Sequence, residues 1–422
     1  MFRRLPRTLQ ALAQLILSTA PNSNHNGWTT VRVPTQKNSE PESRNPEALR
    51  IVPVKGRRAL KRFIGLPWSV YVDDPVWIPP LIFERRQHLS PRSPYFQHAH
   101  WCAWLAYRGA KPVGRISAQV DRLYLERHQD ATGFFGMLEA EDDRETFHGL
   151  FRAVETWLRE QGLHRVLGPF NLSINQESGL LVEGFETSPV FMMGHGRPYY
   201  NARVGEQGYV KAQDLFAYRI NPETLSKATI MRSMKAKVSG LVSLRPLRRA
   251  RFDEDFQVLR DIFNDAWTEN WGFVPFTEAE FKDMGHGMVH IIDEEFVQIA
   301  EVNGKPAAMI VLLPNLNESI GDLNGRLLPF GWLKLLWRLK RAYPKSGRVV
   351  LMGVRRQYQG SLLGTALAFL VIDALREPVM RRGMNEVEMS WILEKNQSMW
   401  RIIESLGGTL YKRYRVYEKQ LD

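Results

Sequence analysis

Residues 349–367, VVLMGVRRQYQGSLLGTAL, decide how the rest of the chain is read. Val349 to Met352 form an apolar run of strand type. Gln359, Gly360 and Ser361 interrupt it, and Leu362 to Leu375 resume an apolar pattern at helical spacing. A glycine-bearing turn at a helix start leaves backbone N–H groups unpaired and pointing outward, with the positive end of the helix dipole behind them. Such a turn is suited to a pyrophosphate. A second block follows at 386–419, EVEMSWILEKNQSMWRIIESLGGTLYKRYRVYEK: a strand, a helix opening near Asn396, a Gly407-Gly408 stop and a final strand.

That succession resembles the carboxy-terminal half of the GNAT superfamily of acyl-CoA N-acyltransferases. The family's phosphate motif runs Q/R-x-x-G-x-G/A. Gln359, Gly360 and Gly364 fit it, and Leu362 stands where the middle glycine is usual. Backbone amides, not side chains, hold the phosphates, so the departure costs little, although Leu needs a negative φ. The resemblance covers residues 243–422 well. It implies acyl-CoA or acetyl-CoA as co-substrate, no metal, and contacts from Gln359, Gly360, Ser361, Leu362, Leu363, Gly364, Thr365 and Asn396. A free amide near Gly353 or Val354 is expected to meet the thioester carbonyl. Many relatives protonate the leaving thiolate with a tyrosine four residues before the closing glycine; here that place is Ile403.

With 422 residues, two domains are the natural expectation. The lone Cys102 rules out a disulfide framework and multi-Cys metal sites. His286 and His290 are helically spaced but have no third ligand nearby. The net charge of +12 is local: Lys227 to Arg251 holds eight basic residues and no acid, Arg326 to Lys345 six and no acid. Removing those 14 leaves 43 basic against 45 acidic residues, which argues against a general nucleic-acid surface.

Residues 1–47 read as a flexible basic and polar arm, with a short amphipathic helix near its start preferred to an export signal. The first half reads as a strand pair at 101–107 and 112–120, a strand at 134–139, a helix at 144–161, a strand at 165–172 and a closing strand at 216–220; the second half repeats the order, with a helix at 255–267, a strand pair at 296–302 and 307–314, the strand and helix about the turn, and the final strand, helix and strand. The expected fold is α/β: two tandem GNAT-like domains, each a mixed central sheet flanked by helices. Residues 48–222 form a degenerate domain, 223–245 a basic linker and 246–422 the acyl-CoA-binding domain. The strings GPFNLSINQESGLLVEGF (168–185), RPYYNARVGEQGYVKAQDLFAY (197–218) and FNDAWTENWGFVP (263–275) resemble a family of bacterial GNAT-type proteins, some of them linked to sphingolipid synthesis as N-acylating ceramide synthases.

In the first half, Glu139 to Arg144 replaces the phosphate turn with four carboxylates and no glycine, which would repel a pyrophosphate. Glu388 shares a strand face with Ser390 and is a candidate base for an incoming ammonium; Glu318 is a second. Asn264, Trp267, Asn270 and Trp271 are expected to wall the acceptor pocket, aromatic area facing hydrocarbon and amides facing hydroxyls. Arg326–Lys345 reads as an amphipathic helix, with Lys334, Arg338, Arg341 and Lys345 on one face and Leu328, Trp332, Leu335, Leu336 and Leu339 on the other, suited to an anionic membrane surface. The function these residues imply is an N-acyltransferase acting on an amine, a long-chain lipid amine or a small molecule, in the cytoplasm or peripheral on the inner face of the membrane. The rivals are a Fem-type aminoacyl transferase using aminoacyl-tRNA, a small-molecule N-acetyltransferase, and a non-catalytic CoA-binding scaffold.

Overall fold

The computed structural model describes residues 48–225, 229–288 and 293–422. The expected N-terminal arm and His290 lie outside them.

Among the described residues, 13 strands form one sheet. In the first half these are β1 (Leu49–Pro53), β2 (Ala99–Arg108), β3 (Lys111–Asp121), β4 (Thr132–Ala140), β5 (Arg165–Gly168), β6 (Leu180–Glu183) and β7 (Val210–Ile220). In the second half they are β8 (Val242–Pro246), β9 (Val297–Val302), β10 (Lys305–Pro314), β11 (Ser346–Val354), β12 (Glu386–Leu393) and β13 (Thr409–Gln420). Each half begins with an antiparallel run of four strands and then adds a parallel neighbour, β5 beside β4 and β12 beside β11.

The halves then exchange their last strands. β13 pairs with β5 of the first half, and β7 pairs with β12 of the second. β7 and β13 pair with each other, joining both halves into one sheet. Sequence alone placed each closing strand in its own half.

Helix α1 (Arg144–Glu160) covers the first half through Phe147, Phe151, Val154 and Leu158, all at most 1% exposed. Burying a side chain of this size contributes roughly 1.5–3 kcal/mol. The four carboxylates before it have structural work: Glu139 accepts from the Tyr71 and Tyr200 hydroxyls at 2.6 and 2.8 Å, Asp143 caps the helix by accepting from Thr146 N at 2.9 Å, and Arg203, Lys111 and Arg108 pair with Asp142, Glu141 and Asp143. Helix α2 (Phe252–Ala266) lies over the second half, α3 (Gly331–Arg341) packs through Leu335 and Leu339 beside Ile320, Leu323 and the first-half Ile78 and Leu81, and α4 (Leu362–Arg381) and α5 (Gln397–Ser405) follow the glycine turn and β12.

The linker at 223–245 is shorter than expected, because Val242–Pro246 is the edge strand β8, antiparallel to β9. Much of the basic charge here is paired. Arg245 and Arg248 reach Asp255 at 3.0 and 2.7 Å, Arg245 reaches Glu301 at 2.7 Å, and Arg249 reaches Glu294 at 3.3 Å. Asp255 follows the run by a few residues, whereas Glu301 and Glu294 are distant in sequence and are brought to it by the fold.

Candidate active site

β11 and β12 run parallel only from Ser346/Glu386 to Val349/Met389. Beyond that they part, and a cavity of about 810 Å3 opens between them. Its mouth carries Gln359, Gly360, Gly364 and Thr365 from the turn, Trp267, Asn270 and Trp271 from the segment after α2, and Asn396 from the start of α5. Asn175, Gln176 and Met192 of the first half complete the wall.

The turn is built by its glycines. Gly360 has φ +71°, with open space where a Cβ would stand. A Cβ on Gly364 would lie 2.0 Å from the Tyr358 carbonyl oxygen, so only glycine allows the helix to start so close to the preceding chain. Ser361 caps α4 by accepting from Gly364 N at 3.0 Å. The Gln359 amide donates to the Ala266 and Val354 carbonyls at 3.0 and 2.8 Å, so this side chain braces the turn. Leu362 is the first helical residue, 58% exposed, and its φ is not in the left-handed region. Among the described residues the amides of Gly360, Leu362 and Leu363 donate no hydrogen bond. Three open donors at the start of a 20-residue helix fit a pyrophosphate.

The cleft edge of β11 follows from alternation. Arg355 N–H donates to Ala307 O, so Gly353 also faces β10, opposite Met309. Met352 and Val354 face the cleft. Their carbonyls accept from Trp267 Nε1 at 2.9 Å and from Gln359 Nε2. The amides of Met352 and Val354 therefore point to the cleft, while that of Gly353, contrary to expectation, points to β10.

Glu388 is 1% exposed and does not line the cavity; Ser390 does. The Ser390 hydroxyl donates to Glu388 Oε1 and accepts from Arg348 Nε at 2.8 Å, and the Tyr411 hydroxyl donates to Glu388 Oε2. Burial, and then the Glu388 charge, push the Tyr411 pKa up. Arg348, which the sequence reading overlooked, is the register partner of Glu388 on β11. Its guanidinium also donates to the carbonyls of Phe191 and Met192, at 3.4 and 3.1 Å, while Lys412 donates to the Thr187 carbonyl at 2.7 Å. Two buried cations thus hold the first-half segment 187–192 against the second-half cleft.

Other expected residues have structural roles. The Glu318 carboxylate accepts from Lys345 N at 2.7 Å and from Ser346 N at 2.9 Å, and it lies outside the cavity. Asn264 spans to the backbone of Phe276 with both ends of its amide, so it fixes the loop instead of facing a ligand. Trp267 packs edge-on against Trp391 at 5.6 Å. Ile403 is fully buried and does not reach the cavity. Asn396 caps α5 at Met399 N.

No protein-family model matches the chain. A tandem GNAT protein from the clavulanic acid biosynthesis pathway superposes with a TM-score of 0.51 at 13% identity, over 89% of this chain and 99% of that one, a likeness of fold. The fold is thus that of tandem GNAT proteins. The chain is 50% identical over 362 residues to Protein YghO of Escherichia coli (strain K12), covering 86% of this chain and 93% of that protein. It is 48% identical over 375 residues to a bacterial ceramide synthase of Caulobacter vibrioides (strain NA1000 / CB15N), covering 88% and 98%. The chain belongs to the bacterial tandem GNAT-like family of these two relatives.

Proposed function

We propose that the protein transfers a fatty acyl group from acyl-CoA to the amine of a long-chain lipid, of the sphingoid-base class. The observation that carries this reading is the 48% identity across 98% of a relative named a bacterial ceramide synthase. The cavity and the open amides at 360–363 support it. Acyl-CoA supplies the activated carbonyl. The amides of Met352 and Val354 are placed to stabilise the oxyanion that develops there. The amine nitrogen bonds to the carbonyl carbon, the C–S bond breaks, and the proton given up by the amine balances the departing thiolate.

Ser390 meets the acceptor directly, and Glu388 draws the proton through it. With no tyrosine at 403, this pair is the buried acid-base unit nearest the cleft. E388Q and S390A are each expected to lower kcat at least tenfold, with KM for acyl-CoA little changed. The double variant should be no slower than the worse single one, since both belong to one relay. Free-thiol release measures this; full additivity would separate the two residues.

The protein also presents a surface for lipid. On α3, Leu335 is buried against Ile320 and Leu323, while Lys334 and Arg338 pair with Asp322. Two of the expected membrane-facing cations are therefore occupied. The exposed face instead carries Leu328, Phe330, Leu333 and Trp337, at 67%, 72%, 48% and 62%, flanked by Arg326, Arg341 and Lys345. Such a face enters the headgroup region with aromatic side chains while its cations meet anionic lipid. Among the described residues no helix is long and apolar enough to cross a membrane. In liposome sedimentation the chain is expected to bind anionic vesicles, with binding reduced by salt and cut at least tenfold in F330S/W337S. Equal binding to neutral and anionic vesicles, or none, would contradict it.

A further inference from the structure

The 810 Å3 cavity is larger than the transfer chemistry requires, and its two halves differ in character. The mouth is polar and close to the phosphate turn. The inner half runs beneath α2, from Ala266, whose Cβ lies 3.1 Å from the point where a Cβ on Gly353 would stand, back to Phe252. Fourteen residues at 1.5 Å each make that path roughly 21 Å long. Phe263, Leu259, Phe256 and Phe252 line it from α2, with Phe281 and Met284 across from them on the helix Glu278–Met288. The rings of Phe252, Phe256 and Phe281 form a continuous wall, with centroids 4.8 and 4.7 Å apart. Gly285 makes the wall possible, because a Cβ there would stand 2.2 Å from the Phe256 ring.

We infer that this inner half is an acyl-chain channel, holding a saturated chain of about sixteen carbons, with Phe256 and Met284 setting the length accepted. The inference rests on the acyl-CoA reading above. A bilayer's hydrocarbon core is about 30 Å thick, so one leaflet gives a chain about 15 Å, and the channel exceeds that. At the ~30 Å3 that a water-sized group occupies in a liquid, sixteen methylene-sized groups need about 480 Å3, which leaves room for the thioester and the acceptor's head. The channel leads inward from the cleft-side amides of Met352 and Val354. A chain whose carbonyl sits at those amides runs straight into it, which is why the occupant is the acyl group and not the tail of the amine.

Calorimetry on the full chain without acceptor, using acetyl-, octanoyl-, hexadecanoyl- and eicosanoyl-CoA, tests this. Affinity is expected to rise severalfold for every two methylenes added and to level off near sixteen carbons. M284W should move that limit down, weakening hexadecanoyl-CoA at least tenfold relative to octanoyl-CoA, and F256A should move it up. Equal affinity for acetyl- and hexadecanoyl-CoA in the unsubstituted protein would overturn the channel whatever the variants do. Variants that shift every chain length alike would also overturn it. Length dependence seen with long-chain amines alone, and not with acyl-CoAs, would assign the channel to the acceptor and refute the inference. No acceptor is needed in the acyl-CoA series, so the lipid-amine reading stands or falls separately in its own turnover assay.

Discussion

Replacing Gly360 by Glu is expected to weaken CoA binding at least tenfold, about 1.4 kcal/mol. Two effects act together. The residue stands at φ +71°, where an L side chain is strained, and the new carboxylate sits beside the open amides of Leu362 and Leu363 that a phosphate would use. Space at this position is open, so the variant keeps its packing. G360A separates the terms: it carries the same backbone strain without the charge and should lose less than threefold. Calorimetry with CoA reads both, and an unchanged affinity in G360E would place the phosphates elsewhere. The corresponding turn of the first half is acidic, and its carboxylates at 141–143 pair with Lys111, Arg203 and Arg108 and cap α1.

Arg348→Met is expected to cost about 3–5 kcal/mol of stability, a large part of what holds a typical protein folded. The guanidinium is 6% exposed on its side chain and stands 3.8 Å from Glu388, which is itself buried. Removing it leaves a carboxylate in a water-poor interior and frees the carbonyls of Phe191 and Met192 from their donor. Burial alone pushes the Arg348 pKa down, so this charge persists because Glu388 and the surrounding oxygens hold it. R348M/E388Q should recover much of the loss, since the uncompensated charge goes with its partner. Urea unfolding measures the effect. A loss below about 1 kcal/mol in R348M would mean that neither the ion pair with Glu388 nor the bonds to the Phe191 and Met192 carbonyls hold the structure here.

The local signals in the sequence and the distant ones had different fates. The turn at 359–365 was legible because its glycines, its serine cap and the change from strand to helix spacing are all contiguous. Most strands of both halves were legible for the same reason, within a few residues, but β1, β6 and β8 were not. The exchange of β7 and β13 was not, because alternation tells which face of a strand is buried and says nothing of which neighbour it pairs with. Asn264 and Glu318 had suitable chemistry in suitable places, yet each amide or carboxylate was already committed to backbone groups: Phe276 for the first, Lys345 and Ser346 for the second. Arg348 went unnoticed as one cation at the head of an apolar strand. Its signal was the carboxylate at the matching register of the next parallel strand, visible only once β11 and β12 are paired. The spacing predicts an amphipathic helix over 326–345, whereas α3 spans only Gly331–Arg341, leaving Leu328 and Lys345 outside it, and Asp322, twelve residues before Lys334, takes two of its cations.

The most direct test of the account is product formation. The purified chain is incubated with hexadecanoyl-CoA and a long-chain amino alcohol such as a sphingoid base, while free thiol and amide are followed together. The account predicts an N-acylated lipid formed one-for-one with released CoA thiol, abolished or greatly slowed in G360E. Turnover of acetyl-CoA with small polyamines, and none with lipid amines, would contradict it and make the protein a small-molecule acetyltransferase.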